Sequence, residues 1–292
     1  MVGRASMKNI IEVINVTKKY DGFILDNINF TFQEGSIMGL IGPNGAGKTT
    51  LINSILDIIK LDSGSIRVFG KDHTQLTKED KEDLAVVYDE NSLPEHLNSK
   101  EVGKIFKELY TNWNHKDYIQ YLERLRIPQK AAIKDMSKGN KVKINLAVAL
   151  AHNPRLLILD EITGALDPIM RDEILKLFLE FIQDETKSIL FSSHITSDLE
   201  KIADYITFIN KGNMIFCKEK DDLLCTYKLG ICRDSKFGKL DKQGIVAYYK
   251  DESRVVFLLD DSIGNGVEHK EVILEEPTIE EIMLVLAKGV IL

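Results

Sequence analysis

Gly42-Pro43-Asn44-Gly45-Ala46-Gly47-Lys48-Thr49-Thr50 is the stretch whose reading decides the fold. It fits the pattern G-x-x-x-x-G-K-[ST]. It lies between a short apolar run, Ser36-Ile37-Met38-Gly39-Leu40-Ile41, and a helical stretch expected from Lys48 to Ile59. Glycines let a backbone wrap around a phosphate chain without Cβ clashes. Several N–H groups, and the positive end of the following helix, then point at the anion. Lys48 supplies a cation to the β- and γ-phosphates, and the Thr49 hydroxyl is a ligand for Mg2+. Every residue from Gly42 through Pro43, Asn44, Gly45, Ala46, Gly47, Lys48 and Thr49 to Thr50 is a candidate nucleotide contact.

A second signal lies downstream. Leu156-Leu157-Ile158-Leu159 reads as a buried strand, and it delivers Asp160-Glu161 at its C-terminal edge, where ligands bind in open α/β sheets. Asp160 would hold the metal through water, and Glu161 would polarise the attacking water as general base. An apolar strand ending in acids is by itself a common structural feature. Paired with the phosphate loop, it becomes part of a nucleotide site.

Outward from these two points the chain alternates buried strands with helices, which indicates a mostly parallel sheet covered on both faces. Ile10 to Val16 and Ile28 to Phe32 alternate apolar and polar residues as antiparallel strands do. A turn at Asp62 to Ser65 leads to a strand from Ile66 to Phe69. Further strands are expected at Leu84 to Tyr88 and Ser188 to Ser192, and an amphipathic helix carries Ile174, Leu177, Phe178, Phe181 and Ile182. Val102, Ile105, Phe106, Leu109, Tyr110 and Trp113, then Tyr118, Tyr121, Leu122 and Leu125, recur at helical spacing. They mark a helical insert whose aromatics serve either its core or an interface. Beyond about residue 225 come short strands, at Gly244 to Tyr249, Val255 to Leu259 and Val272 to Leu274, and a closing helix from Thr278 to Ala287. No internal repeat or low-complexity segment is present.

Composition sets the outer limits. The 292 residues, 44% hydrophobic and 28% charged, suit one large domain with a small appendage. A net charge of -7 argues against general binding to nucleic acid. No run of about 18 apolar residues exists, so a membrane role must come through a partner. The stretch Met1 to Ser6, ahead of a second methionine at Met7, is expected to carry no structural weight. Cys217, Cys225 and Cys232 lack the spacing of a zinc site and read as free thiols of a reducing cytoplasm.

Residues from about 10 to 218 resemble an ABC transporter ATPase domain, with its motifs in order. Gly42 to Thr49 resembles the Walker A loop, and Leu156 to Glu161 resembles Walker B. Met136-Ser137-Lys138-Gly139-Asn140 resembles the family signature, and Gly164-Ala165-Leu166-Asp167 resembles the D-loop. Tyr20 resembles the aromatic that stacks on adenine, and His194 in Ser192-Ser193-His194 resembles the switch histidine that contacts the γ-phosphate. Without the family, Tyr20 would read as a packed surface aromatic and His194 as a structural histidine. Some positions depart from the pattern. At the Q-loop, Asp89 or Glu90 stands where the family has glutamine, and Asp89 is taken as a further metal candidate. The signature has Lys138 for its first glycine and Asn140 for glutamine, while Ser137 and Gly139 remain as the groups that touch the γ-phosphate. Ile162 replaces the usual proline.

The resemblance implies an α/β P-loop ATPase domain over 7–224, with an antiparallel β-subdomain and a helical insert over about 89–150, and a small α+β accessory segment over 225–292. It implies ATP and Mg2+ as ligands and catalysis by Glu161, His194 and Lys48. It also implies a transmembrane permease subunit as partner, a second ATPase domain docked head to tail in an ATP-dependent homodimer or heterodimer, and a place on the cytoplasmic face of the membrane for a chain that is soluble when isolated. The accessory segment is smaller than the regulatory domain typical of sugar importers, which favours export. The rival readings are a soluble ABC ATPase outside transport and a subunit that senses ATP without hydrolysing it. A single phosphate loop and the absence of long heptad runs argue against the first, and intact Glu161 and His194 against the second.

Overall fold

A computed structural model describes residues 8–263 and 272–292, so Met1 to Ser6 and Met7 lie outside the described residues. β1 (Asn9–Tyr20) and β2 (Phe23–Gln33) form an antiparallel hairpin, and β3 (Ile37–Ile41) leads into the phosphate loop and α1 (Lys48–Ile55). β4 (Ser63–Val68) and β5 (Lys71–Asp72) extend the hairpin, and α2 (Lys78–Glu82) and β6 (Leu84–Tyr88) follow. The helical insert holds α3 (Ser99–Leu109), α4 (His115–Arg124) and α5 (Lys138–Ala151). The chain then alternates through β7 (Leu156–Asp160), α6 (Pro168–Phe181), β8 (Ser188–Ser192), α7 (Thr196–Ile202), β9 (Tyr205–Asn210), β10 (Asn213–Glu219) and α8 (Lys220–Thr226). Last come β11 (Tyr227–Arg233), α9 (Asp234–Phe237), β12 (Ile245–Asp251), β13 (Arg254–Asp260), β14 (Ile273–Glu275), α10 (Ile279–Lys288) and β15 (Val290–Ile291).

The main sheet runs β5-β4-β1-β2-β10-β9-β3-β8-β7-β6. Its strands β9, β3, β8, β7 and β6 are parallel to one another, and β3, β7 and β8 are buried at every position. That is why they read as unbroken apolar runs: helices cover both faces, so no face needs polar residues. The register places Leu40 beside Ser192, Ser192 beside Asp160, and Asp160 beside Tyr88. The loops after β3, β8, β7 and β6 therefore leave the sheet along a single edge.

Some expected boundaries shift. The helix from Lys48 stops at Ile55, not Ile59. Asp57 adopts φ 55, and the N–H groups of Asp57 and Ile58 donate back to the Ser54 and Asn53 carbonyls at 3.2 and 2.9 Å. This left-handed closing turn satisfies the last carbonyls and ends the helix. The turn expected at Asp62 to Ser65 is partly strand, because Ser63 and Ser65 pair with Thr17 and Ile14 of β1 across a bulge. Trp113 lies beyond α3, where its ring packs 5.0 Å from that of Tyr118. Tyr118 is wholly buried with Val102, Leu122 and Leu125, so it belongs to the insert's core, whereas Ile105 and Leu109 face outward.

The C-terminal strands form a separate sheet, β14-β11-β13-β12-β15, and β11, between β14 and β13, is a strand that the sequence pattern did not predict. Residues 264–271 of the accessory segment lie outside the described residues. The expected boundary after residue 224 falls inside α8, where Leu223 is fully buried. α10 packs on α7, and Ile279, Ile282 and Val285 join the same core as Leu199, Ile202 and Ala203. The Ile279 N–H donates to Glu200 Oε1 at 2.7 Å across this junction. All three cysteines are free.

Candidate nucleotide site

The phosphate loop is built as the glycine pattern demands. A Cβ on Gly42 would sit 2.2 Å from the Ile209 carbonyl oxygen, and one on Gly47, at φ +113, would sit 2.9 Å from Leu25. No other residue fits either place. The loop closes on itself through the Ala46 N–H, which donates to the Pro43 carbonyl at 3.1 Å. Lys48 opens α1 and is only 6% exposed. Its Nζ donates to the Gly42 and Pro43 carbonyls at 2.7 and 3.3 Å and pairs with Glu161 Oε1 at 3.1 Å.

Asp160 ends β7 and is buried, and it accepts a 2.8 Å hydrogen bond from Thr49 Oγ1 at Oδ2. Its Oδ1 is buried with no hydrogen-bond partner. A buried, half-satisfied carboxylate beside a hydroxyl is the donor set of a hard divalent cation completed by water and phosphate oxygens. Among the described residues no three acidic, histidine or cysteine side chains converge on one point. Metal binding here would depend on the nucleotide.

Glu161 takes φ 56 and ψ 26, a left-handed conformation that costs a non-glycine residue energy. Its N–H donates to the Ser192 carbonyl at 3.0 Å. The turn throws the carboxylate back across the sheet edge. There Oε1 meets Lys48, while Oε2 accepts from the His194 N–H at 3.2 Å and from ring Nδ1. Burial works to raise the Glu161 pKa. The hydrogen bond from His194 and the charge of Lys48 outweigh burial and hold it below the ordinary carboxylate value. His194 is half exposed, and its ring lies against Gly164 of the D-loop.

Sequence distance is thus closed at two points: Lys48, Glu161 and His194 meet, and so do Thr49 and Asp160. Tyr20 stands exposed at the end of β1, directly opposite Phe23. Residues paired this way share a face of the hairpin, and the Phe23 ring reaches within 3.0 Å of where a Cβ on Gly47 would be. Phe23 went unnoticed in the sequence, although an aromatic one short turn past Tyr20 was its signal. Ser137 caps α5, its Oγ accepting from the Asn140 N–H at 3.3 Å. Ser137 and Gly139 line a cleft of about 410 Å³ against Ala165 and Asp167, and no residue of Gly42 to Thr50 lines it. Asp89 follows β6 beside the site, but its Oδ2 is held by Lys138.

Residues 25–164 match the ABC transporter family model. The lantibiotic transport ATP-binding protein SrtF of Streptococcus pyogenes is 32% identical over 215 residues, which span 73% of this chain and 92% of that protein. The chain belongs to the ABC transporter ATP-binding protein family. Like other members it binds and hydrolyses ATP as the ATP-binding subunit of a transporter. The bacitracin transport ATP-binding protein BcrA of Bacillus licheniformis is 27% identical over 302 aligned positions, covering 97% of this chain and 99% of its own, accessory segment included. Among solved structures, an ATP-binding subunit of an ABC transporter overlays with a TM-score of 0.66 at 24% identity, over 73% of this chain and 91% of the other. The ATP-binding cassette MJ0796, a dimer in a post-hydrolysis state with ADP and Pi, overlays at 0.63 and 21% identity, over 72% of this chain and 98% of the other. These two likenesses concern the ABC fold. Among the described residues no helix is long and apolar enough to cross a membrane.

Proposed function

We propose that this ABC subunit works on the cytoplasmic face of the cell membrane, paired with a second ATPase domain and docked on a separate transmembrane permease that it drives in export. The observation that carries the reading is the convergence of Lys48, Glu161 and His194 beside the Thr49–Asp160 pair. ATP entering the loop draws Lys48 from Glu161 to the phosphates. Glu161 then loses one of the two groups that lower its pKa and becomes a stronger base toward water. His194, already bonded to Glu161, lies within reach of the γ-phosphate side of the site. Thr49 and Asp160 would hold Mg2+, which supplies charge neutralisation of the phosphate oxygens. Tyr20 offers a ring for adenine. Ser137 and Gly139, in a cleft apart from the loop, receive the γ-phosphate of the partner domain's ATP. Export is supported by the relatives named for lantibiotic and bacitracin transport, and their cargoes make a peptide antibiotic the first substrate class to test.

The test is Glu161→Gln, which keeps shape and removes the base. With Mg-ATP this variant elutes as a dimer in size-exclusion chromatography, and with ADP as a monomer. A variant that stays monomeric at saturating Mg-ATP eliminates the homodimer and requires a different ATPase partner or the permease for closure.

A further inference from the structure

The ion pair between Asp89 and Lys138 has no part in the site described above. Lys138 Nζ donates to Asp89 Oδ2 at 2.5 Å, joining the first residue after β6 to the first residue of α5. The same segments are tied again where Ser92 Oγ donates to Asn145 Oδ1 at 3.3 Å, and where Lys141 Nζ lies 3.8 Å from Glu95 Oε1. Those further contacts secure the loop to the helix without Asp89. The Asp89 carboxylate itself is only half satisfied, since its Oδ1 is buried with no hydrogen-bond partner. It is held by one bond and free to gain more elsewhere.

Lys138 also belongs to the cleft at the start of α5. Lys143 lines that cleft too. It is more than nine-tenths buried and has no acid within ion-pair distance among the described residues. The one carboxylate there, Asp167, caps α6 through Oδ1, which accepts from the Ile169 and Met170 N–H groups, and its charge offsets part of that of Lys143. The cleft therefore combines two lysines with the N-terminal N–H groups of a fourteen-residue helix, a setting for an anion of high charge. Lys138 has one ammonium group to share between Asp89 and such an anion.

We propose that Asp89–Lys138 is an exchange latch. Lys138 holds Asp89 until the γ-phosphate of a partner's ATP reaches the cleft. Lys138 then transfers its hydrogen bond to the phosphate, and Asp89 is released at the strand edge, one residue beyond Tyr88, the register partner of Asp160. The inference rests on the head-to-tail docking proposed above and adds a consequence to it. ATP bound by one subunit frees the Asp89 carboxylate of the other.

The test uses the full chain carrying Glu161→Gln, with Mg-ATP, and reads the dimer dissociation constant by analytical ultracentrifugation. Asp89→Asn removes the competitor for Lys138 and tightens the dimer by about two- to fivefold, the worth of one partly exposed ion pair regained. Lys138→Met loosens it by about tenfold or more, and Lys138→Arg restores most of the loss. The double variant Asp89→Asn/Lys138→Met behaves as Lys138→Met alone, because Asp89 acts only through Lys138. A dimer unchanged or loosened by Asp89→Asn, or additive effects in the double variant, overturns the latch while leaving docking in place. A parent that never dimerises overturns docking and latch together, a distinct result. Circular dichroism melts confirm that each variant folds.

Discussion

Lys48→Ala separates binding from scaffold in this site. Lys48 Nζ is buried and satisfied by the Gly42 carbonyl at 2.7 Å, the Pro43 carbonyl at 3.3 Å and Glu161 Oε1 at 3.1 Å. ATP replaces the carboxylate with phosphate oxygens. Each charge-assisted hydrogen bond is worth about 1.5–3 kcal/mol, so two phosphate contacts give about 3–6 kcal/mol. Giving up Glu161 offsets about one such bond and leaves about 1.5–3 kcal/mol net. At 1.4 kcal/mol per decade, the variant should bind ATP about 10- to 140-fold more weakly. The fold should survive, because the loop's glycine geometry and the His194–Glu161 contact do not depend on the ammonium. Isothermal titration calorimetry reads the affinity and a thermal melt reads the fold. An ATP dissociation constant within threefold of wild type, in a variant that melts normally, refutes the reasoning that Lys48 exchanges Glu161 for phosphate.

Two further outcomes follow from packing and charge. Glu161 has a lowered pKa, so its ionised form adds stability above its ordinary value of 4.5 and loses it as pH falls through the lower folded value. The stability gap between wild type and Glu161→Gln, measured by denaturant unfolding, should narrow as pH drops below 4.5. A gap that widens on acidification contradicts the assigned direction. Ile282→Ala, at a wholly buried site of α10, should cost about 2–5 kcal/mol of stability while the folded protein keeps its ATP affinity within about twofold. Removing the chain from Cys225 onward goes further, because it strips apolar cover from α7. A parallel loss of ATP affinity in Ile282→Ala would mean that the accessory sheet positions the His194 loop.

The edge that carries the phosphate loop was legible in the sequence because local chemistry dictates it. The Gly42–Thr50 loop needs glycine where a Cβ would strike the Ile209 carbonyl or Leu25, and the apolar runs at β3, β7 and β8 announce strands buried on both faces. Lys48 and Glu161 could be named from the phosphate-loop motif and the acid-ended strand, and His194 only through the family resemblance. That Lys48 and His194 grip the same carboxylate, and that Glu161 turns back through a left-handed backbone to reach them, depends on parallel register between strands far apart in sequence. Phe23 escaped notice because its relation to Gly47 exists only once the hairpin folds over the loop. β11 escaped because seven residues of mixed exposure carry too weak a pattern to stand apart from turn. Docking of α10 on α7 is likewise a tertiary choice, since an amphipathic helix declares that it has an apolar face but not which surface will cover it. Asp89 shows the division most plainly. The resemblance to the family's Q-loop made it a metal candidate, but only the approach of α5 to the end of β6 set Lys138 beside it, because ion pairs form between chain segments that packing has already brought together.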